Sequence, residues 1–181
     1  MQSSHPSGEL QHRVARLVRD IPNYPKPGVM FKDITPLLAD AAAFTAVTDA
    51  MADAFVDSRA THVVAIESRG FILGGPVAQR LGAGFVPVRK PGKLPAETRR
   101  QTYELEYGAD ALEIHADAYE RGARVLIVDD VLATGGTATA ACELVEQLGA
   151  TVVGFSFLIS LSFLPGLARL RDRSVSSILT F

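Results

Sequence analysis

Tryptophan is absent from this 181-residue sequence, and cysteine occurs once, at Cys142. A single cysteine excludes an intramolecular disulfide, which favours a reducing, cytoplasmic setting. The four histidines are scattered without the spacing of metal ligands. The formal net charge is only −2, so no global basic field indicates a nucleic-acid partner. An anionic ligand would therefore be held by a local site.

Long hydrophobic runs are also missing. The longest apolar stretch, residues 152–164, carries three serines and is shorter than the roughly 18 residues of a membrane span. Residues 1–10 contain no apolar segment of the kind that directs secretion, so we expect no membrane association. With 48% hydrophobic and 21% charged residues, the composition is that of a soluble globular protein. The length suits one domain over residues 1–181.

Apolar spacing divides the sequence into alternating elements. Helical spacing is found over residues 9–20 and 40–58, and the proline-rich stretch 21–36 between them is expected to be ordered and extended. Strands rich in apolar residues are predicted at 61–68, 85–90, 124–130 and 151–161, with helices at 71–82 and 137–149. This alternation indicates an α/β fold with a parallel sheet covered by helices on both faces.

One region, residues 90–119, interrupts the alternation. Its first part is rich in proline, glycine and charge, and it is too long for an ordinary connection in an α/β fold. Residues 102–107 alternate like a strand, and 112–115 are expected to pair with them. Long excursions of this kind are often lids or binding loops.

The sequence VLIVDDVLATGGT, residues 125–137, has the chemistry of a binding site. Asp129 and Asp130 stand at the carboxyl end of a predicted strand, where open parallel sheets bind ligands. Gly135 and Gly136 allow close approach of the backbone to an anion, and the following helix adds its positive end. These residues suit a phosphate together with sugar hydroxyls or Mg²⁺. The alternative is a strand that leads into a helix capped by Thr137, but two adjacent carboxylates favour the functional interpretation.

The same stretch is similar to the motif of the type I phosphoribosyltransferases, which use phosphoribosyl pyrophosphate (PRPP). Further segments match in order along nearly the whole chain: YPKPGVMFKDITPLL (24–38), ESRGF (67–71), VRKPGKLP (88–95) and YELEYG (103–108). Together they resemble the adenine phosphoribosyltransferases of that family. The resemblance implies a parallel-sheet type I core with helices on both faces, a small N-terminal hood within 1–36 and a flexible flap over 91–118.

The resemblance also implies a role for each matching residue. Asp129 and Asp130 would hold the ribose hydroxyls, directly or through Mg²⁺, and Glu106 in the flap would approach N7 of adenine as the general acid or base. The 5′-phosphate would lie on Ala133, Thr134, Gly135, Gly136 and Thr137. Pyrophosphate would contact Ser68, Arg69, Gly70, Arg89, Lys90 and Lys93. The base would lie against Met30, Phe31 and Lys32.

Several alternatives stay open for single residues. Arg89, Lys90 and Lys93 have the composition of a solvated charged run, Glu106 of an exposed strand residue, and Arg69 of a surface ion pair. Phe31 is of a type found more often in a core than against a base. For these residues the functional interpretation depends mostly on the resemblance.

The function that the resemblance implies is Mg²⁺-dependent transfer of a phosphoribosyl group from PRPP to adenine by a homodimer, in purine salvage. Ala133 supports adenine, because relatives that use 6-oxopurines typically have an aspartate there. A different class would be a regulator that senses PRPP or a nucleotide on the same fold. Such regulators typically carry a helix-turn-helix, for which the roughly 20 residues before the proline-rich segment are too few. A third possibility keeps the chemistry with xanthine or another purine.

Overall fold

The computed structural model of the chain describes residues 8–104 and 108–181. Its centre is a five-stranded sheet in the order β4-β3-β7-β8-β9, in which every neighbouring pair is parallel. The strands of the described residues are β1 (Arg19–Pro22), β2 (Met30–Asp33), β3 (His62–Ile66), β4 (Gly84–Val88), β5 (Thr98–Glu104), β6 (Ala109–His115), β7 (Arg124–Leu132), β8 (Thr151–Ser160) and β9 (Val175–Thr180). The helices are α1 (Gly8–Leu17), α2 (Thr35–Ala39), α3 (Ala41–Asp53), α4 (Arg69–Leu81), α5 (Gly136–Gln147) and α6 (Gly166–Arg169).

Both faces of the sheet are covered, as the fold prediction requires. Successive strand residues point to opposite faces, so Val64 and Ile127 belong to the core under α5, whereas Val63 and Leu126 belong to the core under α1, α3 and α4. This double burial explains why the strands are almost wholly apolar. The predicted α/β class and parallel sheet are confirmed.

Two antiparallel ribbons lie outside the sheet. In the segment predicted as the hood, β1 pairs with β2, and Arg19 Nη2 lies 2.7 Å from Asp33 Oδ2 across the pair. In the segment predicted as the flap, β5 pairs with β6 from Thr98 opposite His115 to Glu104 opposite Ala109. A pair of strands is found in the predicted region, but in another register: residues 112–115 pair with 98–101 rather than with 102–107, and 102–104 pair with 109–111. Residues 105–107 lie outside the described residues.

Several element boundaries differ from the sequence predictions, among them the helix predicted over 40–58, which is Ala41–Asp53. The helix predicted over 9–20 ends at Leu17, because Arg19 and Asp20 pair with β2 instead. The strand β9 was not predicted at all; it lies at the sheet edge beside β8. Within the described parts of the chain, no helix combines the length and the apolar character that crossing a membrane requires.

Candidate active site

The strand order brings three chain segments together at one edge of the sheet. Because β4, β3 and β7 are parallel neighbours, the residues that follow or end them lie side by side. These are Arg89 after β4, Glu67 after β3, and the pair Asp129 and Asp130 near the end of β7. The predicted pyrophosphate and ribose residues therefore converge on one site.

The two aspartates are buried at this edge. Asp129 is 8% exposed and Asp130 5%, and Asp129 Oδ1 accepts a hydrogen bond from the backbone N–H of Asp130 at 2.9 Å. Burial raises the pKa of Asp129 well above its usual range, and the neighbouring charge of Asp130 raises it further. Burial also raises the pKa of Asp130, against the opposing charge of Arg69. The pair is costly to keep ionised, which is typical of a functional site.

This cost gives a prediction for stability. Asp129→Asn is expected to increase the free energy of unfolding at pH 7 by about 1–2 kcal/mol, because an isosteric amide removes a buried charge. A carboxyl whose folded pKa is raised destabilises the fold above that pKa and ceases to do so below its unfolded pKa. The gain should therefore fade as the pH falls from the raised pKa of Asp129 towards the unfolded value, and should be nearly gone at about pH 4. Urea unfolding at pH 7 and pH 4 measures it, and a loss of stability at pH 7 would contradict the argument.

Arg69 connects the aspartate pair to the N-terminal ribbon. Its Nε lies 2.8 Å from Asp130 Oδ2, and its guanidinium lies over the ring of Phe31, 4.7 Å from the centroid. The Phe31 ring also meets Tyr24 edge-on, with the centroids 5.0 Å apart. Arg69 is thus not a surface ion pair, since its partner is buried. The predicted base-binding ring and the predicted ribose-binding carboxylate share one cationic neighbour.

The start of α4 faces the same aspartates. The peptide bond between Glu67 and Ser68 is cis. Ser68 is the N-cap residue of α4, but its hydroxyl does not cap the helix. A Cβ atom on Gly70 would lie 2.8 Å from Asp129 Oδ1, so only glycine fits this close approach. The predicted pyrophosphate residues Ser68, Arg69 and Gly70 therefore lie at a helix N-terminus against the carboxylate pair.

The glycine loop after β7 leads directly into α5. Gly135 is the N-cap residue, with φ +83°, and a Cβ atom there would lie 3.1 Å from the Cα of Gly166. The backbone N–H of Gly166 donates to the carbonyl of Ala133 at 3.1 Å, so the start of α6 packs against the loop. The alternative that Thr137 caps the helix is wrong, because Thr137 is already the second helical residue. Thr134 is exposed and Thr137 half-buried.

Glu67 binds the basic segment after β4, which contains Arg89, Lys90 and Lys93. Its carboxylate is largely buried and accepts hydrogen bonds from Arg89 Nε at 3.2 Å and from the backbone N–H of Lys90 at 3.0 Å. It also forms an ion pair with Lys93 Nζ. Burial alone would raise the pKa of Glu67, but these donors outweigh it and lower the pKa. The basic residues are thus fixed by a shared carboxylate rather than forming a solvated charged run.

Lys90 reaches the flap ribbon. Its ammonium group donates to Tyr103 Oη at 2.8 Å and forms an ion pair with Asp110 Oδ2. The ring of Tyr103 lies against the start of α5, since a Cβ atom on Gly136 would be 3.2 Å from Tyr103 Cδ2. The ribbon is therefore in contact with both the basic segment and the end of the glycine loop.

The remaining predicted site residues are Met30, Lys32 and Glu106. Met30 is 49% exposed beside Phe31. The Lys32 ammonium is 2.7 Å from Asp20 Oδ1 and lies over the ring of Phe181, 3.8 Å from its centroid, so its side chain is engaged within the ribbon and with the C-terminus. Glu106 lies outside the described residues, between the ends of β5 and β6 in sequence.

Three residues that contact the predicted site were missed. Glu67 could have been found, because it directly precedes Ser68 at the end of a buried strand and belongs to the quoted ESRGF motif. Gly166 and Asp110 carry no such signal. Their positions depend on the turn before α6 and on the register of the β5–β6 pair, neither of which a sequence pattern specifies.

The comparison with known families agrees with this geometry. Residues 34–173 match the sequence profile of the phosphoribosyl transferase domain. The match extends from α2 to the turn before β9 and so contains the carboxyl ends of β4, β3, β7 and β8. The chain is a member of the phosphoribosyltransferase family.

Comparison with similar proteins shows to which branch of that family the chain belongs. The chain is 55% identical to the adenine phosphoribosyltransferase of Acidothermus cellulolyticus over 96% of its own length and 98% of the relative's. It is 51% identical to the crystal structure of adenine phosphoribosyltransferase from Thermoanaerobacter pseudethanolicus, with a TM-score of 0.92, covering 94% of this chain and 99% of that one. The Saccharomyces cerevisiae enzyme, solved with an imino-altritol bisphosphate and adenine, is 40% identical with a TM-score of 0.89 over 96% and 100% of the two chains. Within its family, the chain belongs with the adenine phosphoribosyltransferases.

Proposed function

We propose that the protein transfers the phosphoribosyl group of PRPP to adenine, giving AMP and pyrophosphate in purine salvage. The observation that carries this proposal is the convergence of the buried Asp129–Asp130 pair, the glycine loop and Phe31, with Arg69 in contact with both Asp130 and Phe31. A phosphate site, a pair of hydroxyl acceptors and an aromatic surface are what a ribose phosphate and a purine need. The relatives at 52–58% identity are all named for this activity.

The loop geometry supports the binding of PRPP. In this proposal the 5′-phosphate lies on the backbone of residues 133–137, at the positive end of α5. Asp129 and Asp130 accept hydrogen bonds from the ribose hydroxyls, and the pyrophosphate group extends towards Arg69 and the basic segment of Arg89, Lys90 and Lys93. Held at both ends, the sugar presents C1 towards Phe31.

The transfer step exchanges one bond at C1 for another. N9 of adenine attacks C1 as the C1–oxygen bond to pyrophosphate breaks, and the oxygen keeps the electron pair. Positive charge develops on the sugar beside the aspartates, and negative charge on the pyrophosphate beside Arg69 and the basic segment. The proton on N7 of the attacking tautomer passes to the carboxylate of Glu106, which lies in the flap segment.

A magnesium ion that arrives with PRPP fits these residues. Only two carboxylates lie at the end of β7, and in the described residues no three His, Cys, Asp or Glu side chains converge on a metal site. Mg²⁺ is commonly bound through one or two carboxylates plus substrate phosphates. Asp130 Oδ2 is buried without a well-aligned hydrogen bond, and it could serve as such a ligand. When bound, the ion would supply charge to neutralise the departing pyrophosphate.

The function test mixes the purified protein with Mg²⁺, PRPP and one purine base at a time, and follows nucleotide and pyrophosphate. AMP from adenine, with little or no product from hypoxanthine, guanine or xanthine, is the expected result. Ala133 has no group that could contact N7 of a 6-oxopurine, which supports this selectivity. Turnover of a 6-oxopurine but not adenine would overturn the base assignment. Binding of PRPP without turnover of any base would indicate a regulator instead.

Glu106→Gln is expected to reduce kcat with adenine about 100-fold, because the amide cannot take a proton from the base. Binding of PRPP should be nearly unchanged, since the proposed role of Glu106 is at the base and not at the phosphates. Steady-state kinetics combined with calorimetric PRPP titration separates the two. Glu104→Gln is the matched control, because Glu104 is an exposed residue of the same ribbon and loses the same charge. Equal effects of the two substitutions would refute a specific role for Glu106.

The protein is proposed to act as a homodimer in the cytoplasm. The family resemblance suggests the dimer, and the exposed apolar residues Ile72 and Phe85, which are 43% and 41% accessible, supply surface for it beside the edge strand β4. Sedimentation should give about twice the chain mass of 19.3 kDa. A mass of one chain at micromolar concentration would exclude this assembly.

A further inference from the structure

Lys90 carries two contacts that the reaction does not use. Its ammonium group is held between the hydroxyl of Tyr103 at 2.8 Å and the carboxylate of Asp110, both on the flap ribbon. Tyr103 Oη is itself 3.2 Å from Asp110 Oδ2, so the three groups form one cluster. The cluster is partly exposed: the side chains of Lys90 and Asp110 are 36% and 32% accessible. Solvent and ligands can therefore reach it.

Both charges of the pair persist at neutral pH. Burial alone would lower the pKa of Lys90, but Asp110 and Tyr103 outweigh it and raise the pKa. The hydrogen bond from Lys90 holds the pKa of Asp110 below its usual value. Among the described residues, Lys90 is the only cationic partner within ion-pair distance of Asp110. The pair is thus an intact charge pair at the pH where the enzyme works.

The Lys90–Asp110 pair lies beside the proposed pyrophosphate site. Lys90 belongs to the basic segment proposed to contact the pyrophosphate, and Tyr103 packs against Gly136, where the glycine loop ends and α5 begins. An anion bound at this edge approaches the same ammonium group that the Asp110 carboxylate already occupies. A carboxylate and a phosphate oxygen both bind an ammonium as anionic hydrogen-bond acceptors. The two acceptors compete for the positive charge of one ammonium group.

We propose that the Asp110 carboxylate is ion-paired with the Lys90 ammonium in the absence of substrate, and that the pyrophosphate group of PRPP displaces this carboxylate. The proposal rests on the transferase function given above. Displacement removes the side-chain contact between Lys90 and β6 when PRPP binds, while the backbone bridge between Arg89 and Glu113 remains. Asp110 therefore acts through Lys90. Its carboxylate weakens pyrophosphate binding, and its contact with Lys90 makes the position of the ribbon depend on whether pyrophosphate is bound.

The test measures the binding of magnesium pyrophosphate directly, by calorimetry at fixed ionic strength. Asp110→Asn is expected to tighten binding about fivefold, because one competing charge is removed from a partly exposed site. The KM for PRPP should fall by a similar factor while the KM for adenine is unchanged. Asp110→Glu, which keeps the charge, should bind as the wild type does. Asp117→Asn is the matched control, because Asp117 is exposed beyond the end of β6 and loses the same charge.

A double mutant separates competition from a general charge effect. In a Lys90→Met background, Asp110→Asn should leave pyrophosphate affinity unchanged, because the ammonium through which it acts is gone. Unchanged or weaker binding by Asp110→Asn, or an equal gain with and without Lys90, would overturn the proposal. Binding is measured without turnover, so this result is distinct from a failure of the transferase function, which only the AMP assay reports.

Discussion

Asp130→Asn is expected to lower kcat/KM for PRPP about 1,000-fold, which corresponds to roughly 4 kcal/mol of transition-state stabilisation. The substitution keeps the shape of the side chain but removes a buried negative charge beside the carbon on which positive charge develops. It also leaves Arg69 without the carboxylate that lies 2.8 Å from its Nε. Steady-state kinetics with adenine and PRPP measures the effect, and circular dichroism checks that the variant is folded.

Asp53→Asn is the control for this result. Asp53 also pairs with an arginine, since its Oδ1 lies 3.0 Å from Arg80 Nη2, but both side chains are about half exposed and lie away from the sheet edge. Exposed pairs contribute little, so activity should stay within about twofold of the wild type. If Asp130→Asn kept more than a tenth of the activity, the role of Asp130 at the ribose would be rejected.

Gly70→Ala is expected to destabilise the protein by about 3 kcal/mol and to abolish most of its activity. The added methyl group would lie 2.8 Å from Asp129 Oδ1, 3.1 Å from the Val128 carbonyl and 3.3 Å from Asp129 Cα. These atoms belong to the central strand β7, so relief requires moving either that strand or the start of α4. Urea unfolding gives the stability, and the AMP assay gives the activity.

Gly75→Ala is the matched control, because it makes the same change in the same helix. No atom lies within 4 Å of a Cβ atom built on Gly75. Alanine is the better helix former, so this variant should be more stable than the wild type by up to about 1 kcal/mol, with unchanged activity. Equal stability of the two variants would show that the approach of α4 to Asp129 is not restrictive.

The sequence predicts best those elements whose pattern is set by burial. Strand β7 is apolar from Val125 to Val128 because this part is covered on both faces, and the boundaries of the strand were nearly those of the prediction. Strand β9 was missed because Ser176 and Ser177 are only half-buried at the sheet edge and break any apolar run. Helix α1 was predicted too long, because local spacing continues past Leu17 whereas pairing with β2 determines where the chain becomes extended.

The residues of the candidate site also differ in how well the sequence predicts them. The aspartate pair and glycine loop are contiguous in sequence, so their chemistry can be read from a short motif. The contacts of Glu67 with Lys93 and of Lys90 with Asp110 join residues that are 26 and 20 positions apart. Such pairs depend on strand order and ribbon register, which are decided by packing across the whole chain.

The aspartate pair lies on the strand that should exchange its amide hydrogens last. Strand β7 is bonded to β3 on one side and to β8 on the other, and Asp129 lies opposite Phe157 in that ladder. In the described residues, the β5–β6 ribbon has no strand partner besides the bridge between Arg89 and Glu113, and β5 is largely exposed whereas β6 is buried in the core. Local opening of β5 is therefore expected to require less free energy than exposure of the pair. Substrate entry can proceed through such openings while the carboxylates keep their orientation.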